Sequence, residues 1–489
     1  MSAAPSLSQK ASGSYYTSDP VVGTLLKWAV RSPSDRMLDP SCGDGRFIAG
    51  HRNSVGIEQS SSAAAIAVSR APWALVHEGD FFTWAAETKE RFECAAGNPP
   101  FIRYQTFKGT VRERALSLCR SLGAEFSGLS SSWAPFLVAT ASLLKPGGRM
   151  AFVVPAEIGH APYAAPLLDY LIDHFDMVQL VAVRSKLFPT LSEDCWLLYA
   201  DGFGGQTAEL HFTALETFKP TARPPRQAVA VSVQEWRSLW RCRLRPFLLP
   251  SAARDLYRLA AAHPQSRRFG DIANIGIGYV SGANDFFHLR PSEAERWNIP
   301  EALLHPAVRN GRSLPTRQLT AATIMQWRRA DDPIMLLRLP KVGKMPASVK
   351  RYLDTDEGRE AREAYKCRVR DPWYSVPDVQ IPDFFLSYMS GLTASLVRNV
   401  AGATCTNSVH SVRVRDKAAI SRVVKSWETD LVRLSRELEG HPLGGGMLKL
   451  EPREASQILL PAPALLPELL GPILGEAVSV MRRWRHYAD

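Results

Sequence analysis

The chain has 489 residues, more than one hydrophobic core usually serves, so two or three domains are expected. Its 45% hydrophobic and 22% charged residues are those of an ordinary globular protein and exclude a disordered or low-complexity chain. The net charge of +11 points to a polyanionic partner and is unevenly spread: residues 1–250 hold 25 Lys/Arg against 22 Asp/Glu, residues 251–489 hold 34 against 26.

The first residues, MSAAPSLSQKASGSYY, lack the apolar core of a signal peptide. No run of about 20 apolar residues suggests a membrane span. Seven cysteines are scattered with no CxxC pair, which argues against a disulfide framework or a zinc site and for a reducing, cytoplasmic setting. Short apolar runs, each ended by a turn or a polar residue, then recur as strands at Arg36–Pro40, Ser54–Glu58, Ala74–Asp80, Phe92–Asn98, Arg149–Pro155, Met177–Val183 and Cys195–Ala200. Helical stretches such as Ala134–Leu144 and Tyr163–His174 lie between several of them. Strands alternating with helices predict an α/β fold, a doubly wound Rossmann-like parallel sheet with ligands at the carboxyl ends of its strands.

The unusual residues fall at those ends. The first strand runs into LDPSCGDGRF, where Gly43 and Gly45 let the backbone turn tightly and approach a ligand, Asp39 can orient the loop or accept from an ammonium, and a plain turn is the bland alternative. The second ends at Glu58, whose two oxygens suit a pair of ribose hydroxyls; a solvated surface acid reads the same. The third ends at Asp80-Phe81, an acceptor for an exocyclic amine beside a ring for a purine face, or simply a helix N-cap and a core aromatic. The fourth stops abruptly at Asn98-Pro99-Pro100-Phe101. Proline fixes φ and gives no N–H, so this segment presents carbonyls in a preset direction.

In this order the four strand ends resemble the class I S-adenosylmethionine-dependent methyltransferases, and within them the gamma-class adenine-N6 DNA methyltransferases of the TaqI type. The segment YYTSDPVVGTLLKWAV, residues 15–30, resembles that class's motif X and precedes the glycine loop, as the gamma arrangement requires. The resemblance implies that Thr17 lies near the methionine part of S-adenosyl-L-methionine, and that Asp39, Ser41, Gly43 and Gly45 form the loop around it. Glu58 would take the ribose, Asp80 and Phe81 the cofactor's adenine, and Asn98, Pro99, Pro100 and Phe101 the substrate base. Phe101 stands where the class often has Tyr, which keeps stacking and loses a hydroxyl. Asn98 also borders the cofactor.

The chemistry accounts for the motif. An exocyclic amine is a poor nucleophile because its lone pair is delocalised into the ring. Two acceptors aimed at its hydrogens, the Asn98 side-chain oxygen and the Pro99 carbonyl, favour a pyramidal nitrogen and stabilise the positive charge that grows as the methyl arrives. In-line attack on a sulfonium methyl asks for position rather than acid-base chemistry or a metal. A duplex base must be flipped out to reach such a site, and stacking on an aromatic returns about 1–3 kcal/mol. Phe101 supplies one face. Phe188 falls where the resemblance puts the second, although a core Phe at a strand end is the alternative.

The division is expected at 1–245 and 246–489, a catalytic domain followed by a mixed α+β target-recognition domain for double-stranded DNA. Three segments of the second half suit DNA: VRNGRSL with Arg309 and Arg312, YKCRVRDPWY with Lys366, Arg368, Arg370, Trp373 and Tyr374, and GGGMLKLEP. Arg368 and Arg370 would share one side of an extended segment. Rival expectations are an RNA or protein methyltransferase with the same NPPF motif, or a DNA-binding subunit with an inactive core. With about 15 residues ahead of the motif-X-like segment, a nuclease is expected on a separate chain, and the enzyme is expected to act on DNA as a monomer.

Overall fold

The computed structural model describes residues 17–487 apart from 190, 192, 393, 466 and 468–470. The stretch 1–16, and with it Tyr15 and Tyr16 of the motif-X-like segment, lies outside the described residues. The chain divides into two compact units, Met1–Pro250 and Ser251–Asp489, a few residues beyond the expected boundary. Among the described residues no helix is long and apolar enough to cross a membrane.

The first unit alternates as expected: α1 (Asp19–Ala29), β1 (Met37–Asp39), α2 (Arg46–Ala49), β2 (Ser54–Glu58), α3 (Ser61–Arg70), β3 (Leu75–Glu78), α4 (Phe81–Glu87), β4 (Phe92–Gly97), α5 (Gly109–Ser121), α6 (Trp133–Ala141), β5 (Leu144–Pro155), α7 (Ala165–His174), β6 (Phe175–Val183), β7 (Cys195–Phe203), β8 (Glu209–Leu215) and β9 (Val229–Ser232). Among the described residues these nine strands make one sheet in the order β3-β2-β1-β4-β5-β7-β6-β8-β9. The strands from β3 to β5 run parallel, and β7 enters antiparallel between β5 and β6. Helix α6 is apolar on every side, WAPFLVATA, and every residue of it is buried, as an all-round hydrophobic helix must be. The register of β7 is pinned by charge: Arg149 of β5 sits opposite Asp201 and donates to both its oxygens at 2.7 and 2.9 Å. Strands β8 and β9 were not among the expected elements. The alternation in ELHFTAL buries Leu210 and Phe212 and pairs the strand with β6, extending the sheet beyond the predicted seven.

The second unit is mixed α+β. One sheet orders Ala273–Ile277, Val409–Val414, Phe384–Ser387, Leu396–Asn399 and Gln318–Leu319; another orders His288–Leu289, Met335–Leu337, Leu304–Val308 and Thr404–Cys405. Two cores serve them, one around Phe287, Leu336, Leu337 and Phe385, the other around Phe269, Phe384 and Trp427.

Candidate active site

The parallel strands β1, β2 and β4 bring their carboxyl ends side by side, because β1 pairs with both neighbours. After β1 the chain turns back over β2. The Cys42 N–H donates to the Ile57 carbonyl at 2.9 Å and the Gly43 N–H donates to Glu58 Oε2 at 2.9 Å. The other oxygen of Glu58 accepts from Ser60 N–H at 2.8 Å. Glu58 is therefore not a loose surface acid: it holds the glycine loop down and caps the turn into α3. Gly43 and Gly45 have φ of 53° and 87°, the left-handed region in which a side chain is costly.

Asp39 lies beneath this loop at 1% exposure, its Oδ1 accepting from Ser41 N–H at 3.2 Å. Burial lifts its pKa from the ordinary 3.8 to about 8; the Ser41 bond opposes the rise, and Glu58 and Asp44 add to it. Gly97 at the end of β4 admits this side chain, since a Cβ there would lie 2.7 Å from Asp39 Oδ1. Between pH 3.8 and about 8 the folded chain keeps a proton that the unfolded chain has released, so stability falls as pH rises through that window. Asp39→Asn is expected to flatten that part of the pH profile of thermal unfolding; an unaltered profile would show that another group sets it.

Asp80 caps α4, with Oδ2 accepting from the Thr83 N–H at 2.8 Å and hydroxyl at 2.7 Å. Phe81 is 3% exposed and lies parallel to Phe136, centroids 5.1 Å apart. The capping and core roles weighed for this pair are thus present, with the pair still at the tip of β3.

The segment after β4 is held from three sides. The Asn98 Nδ2 donates to Thr17 Oγ1 at 3.2 Å, across 81 positions of sequence, and Thr17 is itself buried. The Ser41 hydroxyl donates to the Asn98 carbonyl at 3.3 Å. Ser132, fully buried, does the most: its N–H donates to the Ile102 carbonyl at 3.0 Å, its hydroxyl accepts from Ile102 N–H at 3.1 Å, and the same hydroxyl donates to the Pro100 carbonyl. The carbonyls on either side of Pro99 are therefore engaged within the protein, whereas among the described residues nothing donates to the Pro99 carbonyl. Further out, Arg103 donates to Glu193 Oε1 at 2.5 Å, tying the segment after Phe101 to the β6–β7 loop that carries Phe188. Phe101 and Phe188 are 9% and 6% exposed. Ser132 was missed from sequence: three consecutive serines ahead of a helix resemble any polar loop.

The candidate DNA residues of the second unit fare differently. Residues Tyr365–Arg368 form a helical turn, not an extended segment, so Arg368 and Arg370 do not stand side by side as expected. Arg370 turns inward and donates to the Val280 and Ser281 carbonyls, both at 2.5 Å. Trp373 packs on Phe286 and Phe287, and with Tyr374 belongs against the core. Lys366 and Arg368 remain exposed. Arg309 pairs with Asp285 at 2.7 Å, and Arg312 is exposed. In the Gly444–Gly446 turn, Gly446 is required because a Cβ would meet the His486 carbonyl at 2.8 Å, a packing reason rather than room for a phosphate.

Residues 57–188 match the family model of the Eco57I restriction-modification methylase, and residues 243–481 that of the C-terminal domain of the Type II methyltransferase M.Eco57I. The Type II methyltransferase M.XamI of Xanthomonas campestris pv. amaranthicola is 23% identical over 92% of this chain and 85% of its own length. Among solved structures, the Type IIL restriction-modification enzyme MmeI in complex with DNA is 12% identical with a TM-score of 0.50, covering 95% of this chain and 70% of that one. The type IIG restriction endonuclease BpuSI is 12% identical with a TM-score of 0.43; the likeness covers 96% of this chain and 64% of that one, a little under two thirds of its length.

Proposed function

The chain belongs to the restriction-modification DNA methyltransferases of the class I S-adenosylmethionine-dependent superfamily, and we propose that it methylates the exocyclic amine of adenine at a defined site in double-stranded DNA. The observation that carries this reading is the Pro99 carbonyl, left without a donor among the described residues between two clamped carbonyls, next to an asparagine whose Nδ2 is held by Thr17. An amine has two hydrogens to give, and this is a pair of fixed acceptors for them. The two acceptors themselves need little reorganisation when the substrate arrives, because Ser41, Ser132 and two prolines have set them beforehand.

S-adenosylmethionine would supply an electrophilic methyl on a sulfonium. The positive-φ glycine loop and the acids Asp39, Glu58 and Asp80 at neighbouring strand ends fit such a zwitterionic nucleoside. Glu58 would reach the ribose while keeping its bonds to Gly43 and Ser60, since each carboxylate oxygen accepts twice. The Asn98 oxygen and Pro99 carbonyl would hold the amine hydrogens and stabilise the charge developing on nitrogen. Phe101 and Phe188 are both nearly covered, so an extruded base entering between them requires their loops to part; the exposed Arg103–Glu193 pair is the contact that opens, at a cost of about 1 kcal/mol or less.

Sequencing DNA from cells that express the protein should reveal N6-methyladenine at one recurring sequence, absent from cells expressing nothing. Methyl groups on cytosine would overturn the adenine assignment. Unmodified DNA from cells whose purified protein binds S-adenosylmethionine would replace the enzyme by a DNA-binding subunit with an inactive core.

A further inference from the structure

Between Asp332 and Asp354 the second unit carries five cationic side chains, Arg338, Lys341, Lys344, Lys350 and Arg351, and no carboxylate. The segment leaves the strand Met335–Leu337, turns through residues 338–346 and enters the helix Ala347–Leu353. All five cations are exposed, and among the described residues none of them is in an ion pair. Elsewhere in the unit arginines are consumed locally: Arg309 by Asp285, Arg328 by Glu301, Arg359 by Asp356, Arg433 by Glu428 and Asp430. The segment 365–377, chosen from sequence, follows instead on the acidic helix Asp356–Glu363 and has turned Arg370 inward.

At the tip of the turn stands Val342, 89% exposed, more than any other large apolar side chain described. It lies between Lys341 and Lys344 and next to Gly343, whose φ of +128° lets the chain double back. Beside the turn opens a cavity of about 640 Å³, lined among others by His305, Arg338, Lys341, Ser375, Asp378 and Gln380.

We propose that residues 338–351 form a DNA-docking ridge, in which Arg338, Lys341, Lys344, Lys350 and Arg351 take phosphates and Val342 enters the groove between them against the base edges. This inference rests on the DNA reading above and adds the surface that carries it. The chemistry fits duplex DNA. Its phosphates repeat along two strands, so unpaired cations on both sides of a narrow apolar tip meet both walls of a groove while the tip meets its floor. A thymine methyl is an apolar partner for such a tip. The neighbouring cavity brings the exposed Gln380 beside the ridge, together with the carboxylate of Asp378. An anionic membrane would instead call for a wider apolar face than one valine.

The test uses the full chain and a labelled short duplex of arbitrary sequence, because the phosphate contribution does not depend on sequence. Affinity is measured over a series of salt concentrations, with S-adenosylmethionine binding as the check on folding. A Lys341→Ala, Lys344→Ala double variant should lower the slope of log K against log salt by about two, and each single Lys→Gln variant by about one. Replacing both lysines by arginine should restore the slope. Val342→Ser should keep the slope and weaken binding. If wild type binds the duplex and the lysine variants keep its slope, the ridge is wrong and the DNA reading stands; if Val342→Ser binds as wild type does, the groove contact is wrong. If wild type binds no duplex at any salt concentration, both readings fall.

Discussion

Asn98→Ala is expected to reduce turnover by about 10²-fold or more, as loss of one pre-aligned transition-state partner does, while S-adenosylmethionine affinity changes little. The asymmetry follows from where the side chain is tied. Thr17 Oγ1 accepts from Nδ2 and so fixes the side-chain amide, whose oxygen is the proposed acceptor for the incoming amine. Charge on that amine appears only as the methyl transfers, so the oxygen is worth most at the transition state. Alanine removes the oxygen and leaves the backbone carbonyl that Ser41 holds. Single-turnover methyl transfer to duplex DNA, with calorimetric binding of the cofactor alongside, measures the two effects separately. Near-wild-type turnover would remove Asn98 from the reaction.

The second large effect is expected on stability. Gly45 has φ of 87° and closes the loop before α2 against α3, where an added Cβ would lie 2.8 Å from the Ala67 Cα and 3.2 Å from its carbonyl oxygen. Alanine there meets a left-handed backbone cost of about 1–2 kcal/mol. It also meets backbone that cannot move aside as a flexible side chain would, a further ~1–3 kcal/mol. Together these are a large share of the ~5–15 kcal/mol that holds an ordinary domain. Denaturant and thermal midpoints of Gly45→Ala should fall by correspondingly large amounts, and cofactor affinity with them. Gly123→Ala is the control: its φ of 90° is as unfavourable, but nothing lies within 4 Å of the new Cβ. If the two variants lost equal stability, packing against Ala67 would not matter.

The site of the first unit was readable because chemistry and strand ends coincide in the sequence. β2 begins and ends at Ser54 and Glu58 as expected, and β4 ends one residue before Asn98, since proline cannot continue the ladder. What could not be read was who holds the motif in place. Ser132 is 34 positions from Asn98, and its value lies in a hydroxyl that donates and accepts at once, which only the folded chain reveals. β8 was hidden by the proline-rich stretch after it, which reads as loop on both sides. In the second unit the sequence signal pointed the wrong way. Arginines beside Trp373 and Tyr374 look like a DNA loop, but the same residues serve equally to plug a core and satisfy buried carbonyls. Exposure and ion pairing, not composition, separate the two cases, and they select 338–351.

The order of strands in the first sheet also governs how the unit comes off the ribosome. β5 and β6 both precede β7 in the chain and are largely buried strands, yet they are not neighbours: β7 must slot between them, antiparallel to each. Until residues Cys195–Phe203 have emerged, β5 offers one unpaired edge and β6 two, since its other neighbour β8 comes later still, and these edges are rich in Val, Leu and Phe. An open apolar edge is what other chains and chaperones recognise. The nascent protein thus passes through a window, from the emergence of β6 to the arrival of β7, in which a pause in synthesis leaves it most exposed to aggregation, and the β6–β7 loop that carries Phe188 is the stretch that emerges in that window.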